Sequence, residues 1–296
     1  MLDVARVEMQ FGEQTGRVVL FLLVLGPVLA GGWYLRQRAA TADIQRLQRL
    51  AGLPDPGSDR AALESRLLQR QSGRILGIAA LLVVLGSVVS WLGTAMPWIA
   101  LAVPIGAAFG AGFGQIHRMG SPSGPRVAQL RQRSLGDYVP AAERWLARAA
   151  GSTPGLGILA IGAAVISDAP VAPGALAGAG VLGLAIAASL LIRAAVARVL
   201  AAPVEFGSPG GLAWAEVLRA QMVRDLLGSG ALLATGSTVG VLWWLNQRAV
   251  APTALGGVSL GIAILAASLL VALFLANLAD SRFAWVRSHA LADVPT

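Results

Sequence analysis

VVLFLLVLGPVLAGGWYL, residues Val18 to Leu35, runs straight into Arg36, Gln37 and Arg38. As a helix rising 1.5 Å per residue it reaches about 27 Å, close to the ~30 Å hydrocarbon core of a bilayer. The run carries no charge and stops at a pair of guanidinium groups. It reads as a transmembrane helix, because a helix closes all its backbone hydrogen bonds within itself. Working outward, six more runs follow: Ile75 to Gly93, Trp98 to Ile116, Ala149 to Asp168, Gly174 to Ile192, Leu226 to Leu245 and Thr253 to Asn277. The fold class expected is all-α, a polytopic bundle of about seven spans forming one membrane domain over 1–296.

Composition agrees. Of 296 residues, 56% are hydrophobic and only 13% are charged, against about 25% charged in soluble chains. Without cysteine, disulfides, thiolate metal sites and thiol nucleophiles are excluded for this chain. The net charge of +8 comes from 23 basic residues, all arginine. They lie between the apolar runs, so topology explains them better than nucleic acid, and no nucleic-acid partner is expected.

The arginines set an expected orientation. With the N-terminus outside, the segments 36–74, 117–148, 193–225 and the tail after 277 place 20 arginines in the cytoplasm. Only Arg6, Arg17 and Arg248 remain outside. That asymmetry is the positive-inside signal of a plasma-membrane protein. A cleaved signal peptide at Val28 to Ala30 is the alternative for the first run. The acidic residues Asp3, Glu8 and Glu13 before it and Arg36 and Arg38 after it favour an uncleaved anchor. Trp33, Tyr34, Trp91, Trp98, Trp243 and Trp244 fall near run ends, where amphipathic rings favour the headgroup level.

After the first span the chain reads as three units, each an Arg-bearing amphipathic segment, a span, a short turn and a span. The turns are Gly93 to Pro97, Asp168 to Pro173 and Asn246 to Pro252. Glu64, Glu143 and Glu216 precede the units, 79 and 73 residues apart. Such spacing suggests a repeat, and any in–out–in hairpin looks similar. The cytoplasmic segments 36–74 and 117–148 are expected to hold short amphipathic helices, with Ile44, Leu47 and Leu50 or Trp145, Leu146 and Ala149 at helical spacing. Their arginines would meet anionic headgroups or a cytosolic partner. Residues 52–60 and 119–125 read as Gly/Pro/Ser linkers. Pro27 and Pro104 are expected to kink their spans.

Association in lipid depends on close backbone approach. Gly106, Gly110 and Gly114, then Gly174 with Gly178, Gly236 with Gly240, and Gly257 with Gly261, give small-xxx-small steps on four spans. Thr235, Ser237 and Thr238 make a hydroxyl patch in the sixth, expected to bond carbonyls or a neighbouring helix.

No ionisable residue stands near an expected midplane, which disfavours proton-coupled transport by a buried carboxylate. His117 and His289 lack metal-ligand spacing. Asp55 and Asp59 lie in a linker rather than a Mg²⁺-binding cluster. No catalytic, metal or cofactor-binding constellation is expected, and the chain is not expected to be an enzyme.

Pro125 to Pro140, PRVAQLRQRSLGDYVP, resembles a basic segment ending in Asp-Tyr-Val-Pro in uncharacterised multipass membrane proteins of high-GC actinobacteria. Arg126, Val127, Leu130, Arg133, Asp137, Tyr138, Val139 and Pro140 carry the resemblance, and Trp214 to Gly230 has a similar character. The resemblance implies no activity. Arg126, Arg133, Asp137, Tyr138, Arg219 and Arg224 are the candidate contacts to a partner or to membrane lipids. Tyr138 near a membrane edge, with Asp137 and Arg133 four residues apart, is also placed to brace the entry to the fourth span. The function expected is a non-catalytic transmembrane subunit of a transport complex, with a separate cytosolic ATPase or another membrane subunit as partner. A structural, scaffold or regulatory membrane protein is the alternative.

Overall fold

The computed structural model describes residues 2–92, 105–113, 133–166, 172–202 and 209–248, with a few positions between 261 and 288. Among these residues every regular element is helical. Helix α1 spans Leu2–Ala51, and α2 spans Arg60–Leu92. A helical stretch follows over 105–113. Then come a single turn, α3 (Leu135–Tyr138), and three long helices: α4 (Ala141–Ile166), α5 (Ala172–Ala201) and α6 (Pro209–Arg248). Helices α1 and α2 pack as one hairpin, and α4, α5 and α6 pack pairwise.

The amphipathic segments are not separate helices. Residues 36–51 continue the 50-residue α1 without a break, and 60–74 open α2. At 1.5 Å per residue α1 is about 75 Å long, more than twice a hydrocarbon core. The face expected to lie on headgroups is used inside the protein instead, with Ile44 and Leu47 buried in the main core. The hairpin turns at 52–59. Gly52 takes φ +64°, a left-handed conformation that costs glycine nothing. The Leu53 N–H then donates to the Gln48 carbonyl over 3.2 Å, the six-to-one bond of a Schellman C-cap. Residues Gly57–Asp59 make one 3-10 turn before α2.

A proline lies where none was counted among the spans. Pro154 is inside α4, and the helix runs through it. Proline has no N–H to give the carbonyl four residues back. The neighbouring Thr153 hydroxyl donates to that same carbonyl, Ala150 O, over 2.8 Å. Pro27 is likewise inside a continuous α1; Pro104 lies outside the described residues.

Glycine packing is tightest between α2 and 105–113. A Cβ on Gly106 would stand 2.6 Å from the Gly77 carbonyl oxygen, and one on Gly110 would fall on the Gly73 carbonyl. The partners Gly73 and Gly77 form a second small-xxx-small step on α2, facing the first. Gly178 packs on Val241 and Ile161, Gly236 is buried and Gly240 half-buried. Gly261, expected to pack, is exposed with no heavy atom within 4 Å of a Cβ built on it. Gly174 lies in the first turn of α5, and Gly114 and Gly257 lie outside the described residues.

Among the described residues two helical stretches are long and apolar enough to cross a membrane, Gly178–Ala201 in α5 and Gly211–Trp243 in α6. The stretches 18–35, 75–92 and 149–166 are helical within α1, α2 and α4. Most of 98–116 and 253–277 lies outside the described residues. The main core joins α1, α2, residues 138–139, the end of α5 and the first half of α6, and it includes Val286. A second, smaller core of Ile161, Leu182, Val241 and Leu242 closes the other end of α4 to α6.

Candidate functional site

The first half of α6 is buried on nearly every side, although Trp214–Asp225 carries two acids and two arginines. Charges removed from water must be paired and hydrogen-bonded. Each partner lies on a different element, and this makes the segment the hub of the molecule.

At its centre Glu216 and Tyr138 are both 0% exposed. The Tyr138 hydroxyl donates to Glu216 Oε2 over 2.5 Å. Arg219 Nη1 and Arg133 Nε lie 3.6 and 3.7 Å from Glu216 Oε1. Arg219 Nη1 also reaches the tyrosine hydroxyl at 3.5 Å. Its Nη2 donates to the Ala202 carbonyl over 2.5 Å, tying down the end of α5. Burial pushes the Tyr138 hydroxyl well above its ordinary range. The adjacent Glu216 carboxylate adds to the rise and Arg219 opposes it. The phenol is therefore a neutral donor at every physiological pH. Two arginines face one carboxylate here, and Arg133 Nη1 is buried without a hydrogen-bond partner among the described residues.

The short α3 presents Tyr138. Asp137 Oδ2 accepts from the Ser134 N–H over 2.7 Å and from its hydroxyl over 3.0 Å, as an N-terminal cap does. Trp285 Nε1 donates to the Gly136 carbonyl over 3.2 Å, so the chain after 284 holds the same turn from its other side. The bracing expected of Asp137 with Arg133 is divided: Asp137 caps the turn, while Arg133 reaches Glu216.

About two and a half turns beyond Glu216 on α6, Asp225 Oδ2 takes two bonds from Arg70, 3.1 Å from Nε and 2.6 Å from Nη2. Arg70 Nη1 also lies 3.7 Å from Asp43 on α1, and Gln71 donates to Asp43 over 2.8 Å. Arg74 stands 4.0 Å from Asp43. Burial, and next the repulsion of Arg70, lowers its affinity for its proton. Arg224 Nε lies 3.5 Å from Glu143 of α4. At the start of the hub Trp214 Nε1 donates to the Pro54 carbonyl in the α1–α2 turn over 3.0 Å.

Five of the six candidate contact residues thus turn inward. Arg133, Asp137, Tyr138, Arg219 and Arg224 are spent on partners within the chain, and Arg126 lies outside the described residues. Glu216 was legible only as a repeat marker, yet it is the acid on which the cluster is built. The three spaced glutamates occupy unlike surroundings: Glu216 is buried, Glu143 pairs with Arg224, and Glu64 makes an exposed pair with Arg60 at 3.2 Å. The hydroxyl patch is used as expected at two of its members. Thr235 and Thr238 donate to Ala231 and Ala234 over 2.7 and 2.8 Å, and Thr238 sits 3.3 Å from the Thr153 hydroxyl of α4. Among the described residues no three acids or histidines converge as a metal site would require. No known protein family, curated protein or solved structure matches the chain.

Proposed function

We propose that the chain is a multi-pass membrane protein, N-terminus outside, that serves as a non-catalytic transmembrane subunit of a transport complex. The observation that carries this reading is the continuity of α1 and α2 from apolar stretches into an ion-paired base locked on α6. Such a base transmits a push from a cytosolic ATPase into the membrane helices as rigid-body motion. Spacing supports the lipid setting. From Arg224 to Trp243 on α6 is about 28 Å, and from Ala172 to Arg193 on α5 about 31 Å, each near the thickness of a hydrocarbon core. Between those limits Leu184 is 73% and Leu159 69% exposed, an apolar surface that water would not favour.

A scaffold without transport activity is the second reading. It is favoured by the inward turn of the hub charges, which grip other helices rather than line a path.

The cysteine-free chain makes the topology directly testable. A cysteine at Arg46, exposed on the lower part of α1, should react with an impermeant maleimide only after the cells are opened. Reaction in intact cells would overturn the orientation. For the transport reading, an ATPase should co-purify, and its hydrolysis should fall when the exposed Arg38, Arg46 and Arg49 are changed to Glu. An unchanged rate would favour the scaffold. Charge reversal at Arg219 or Arg224 does not test a partner, because both are buried and hold the base together.

A further inference from the structure

We propose that the groove between α4 and α5 binds an anionic phospholipid, with its phosphate held by Arg148 and Arg193. This rests on the membrane reading above. Arg193 ends the apolar run of α5, and its Nη2 lies only 3.3 Å from where a Cβ on Gly151 would stand. The guanidinium therefore leans across onto α4, over a residue with no side chain to obstruct it. Arg148 is three residues before Gly151, on the same flank of α4. Both arginines are exposed, and neither has an ion pair or hydrogen bond among the described residues. The acid nearest in sequence, Glu143, is engaged by Arg224. Two exposed guanidinium groups, unpaired among the described residues and beside an apolar surface, suit an anion, and a phosphodiester accepts from both.

The groove continues towards the apolar zone. Gly151, Gly155, Ile158 and Gly162 follow each other along one flank of α4. On α5, Leu190, Ile186 and Gly183 lead away from Arg193 at the same helical spacing. A Cβ on Gly155, Gly162 or Gly183 would meet no heavy atom within 4 Å. Among the described residues these glycines seat no neighbouring helix; they leave open surface against which an acyl chain can lie. Trp145, one turn before Arg148, is 65% exposed and sits where an indole ring packs at headgroup level. Interfacial ring, headgroup charge and apolar surface thus follow in that order from the start of α4 inward, an order that selects a lipid over a free anion.

The test is thermal melting of the full chain in neutral detergent with added phosphatidylglycerol, phosphatidylcholine or inorganic phosphate. Phosphatidylglycerol should raise the midpoint, and the other two should not. Each arginine near a headgroup is worth about fivefold in affinity. Arg148→Gln and Arg193→Gln should each weaken phosphatidylglycerol about fivefold, and together about 25-fold, with melting in detergent alone unchanged. Arg46→Gln, on α1, should leave the affinity as it was. Retained affinity in the double variant would overturn the site, and an equal shift with inorganic phosphate would overturn the lipid as ligand. A chain that is folded and monomeric without detergent would instead sink the membrane reading beneath it.

Discussion

Glu216 and Tyr138 stand 78 residues apart in the chain and 2.5 Å apart in the fold. Neither is exposed, so the loss of one strands the other. Tyr138→Phe leaves a buried carboxylate oxygen without its donor and should cost about 1–3 kcal/mol. Glu216→Ala leaves Arg219 and Arg133 facing each other without a carboxylate and should cost more, about 3–5 kcal/mol. Thermal or denaturant unfolding in detergent reads both; a neutral Glu216→Ala would mean that the cluster does not close in solution. The tyrosine also sets a pH dependence. Its folded pKa lies above the ordinary value of 10.0, so its contribution is whole below pH 10 and is lost as pH rises through the folded value. Unfolding followed from pH 8 to 11.5 should show stability falling above about 10, with a smaller slope in Tyr138→Phe. Equal slopes would exclude the phenol as the cause.

At the level of helices, the prediction concerns the seam between α2 and 105–113. A side chain at Gly77 or Gly110 meets backbone, which cannot swing aside. Gly77→Ala and Gly110→Ala should each destabilise by about 1–3 kcal/mol. Gly26→Ala, where a Cβ meets nothing within 4 Å, should be neutral or stabilise by about 0.5–1 kcal/mol. If all three variants melt alike, the seam is not a close contact. Much at this level was legible. Five of the seven apolar runs fall in helices among the described residues, and Gly106 with Gly110 marked a real seam. The ends of the helices were not legible. Periodicity distinguishes an apolar run from an amphipathic one, but it cannot say that one helix carries both, as α1 does at Leu35 and Arg36. Hydropathy alone does not single out Pro154 within the fourth run, and the sequence does not announce that Thr153 serves the carbonyl left open. The cluster was the least legible part. Arginines in loops look alike whether they face lipid, partner or core. What separates Arg224 from Arg46 is the acid waiting across the fold, Glu143, 81 residues away in the chain.

For the molecule as a whole, the surface should divide by solvent. Cysteines placed at Leu159, Leu184 and Leu191, all exposed apolar positions, should resist a water-soluble maleimide in vesicles and accept a lipid-soluble one. Those at Arg46 and Arg60 should show the reverse on the accessible side. Rapid water-soluble labelling of all five would mean that the apolar belt faces water or a protein cavity.

The hub on α6 also imposes an order on biogenesis. Arg70, Tyr138 and Glu143 are all made before the α6 residues that engage them, which lie between Glu216 and Asp225. A ribosome adding about 5–20 residues per second takes about 4–16 s to travel from Tyr138 to Glu216. Throughout that interval the nascent chain carries several committed but unsatisfied charges at the membrane surface. Release before residue 225 would leave them so permanently, and a prematurely terminated product should be cleared by quality-control proteases rather than persist as a shorter folded form.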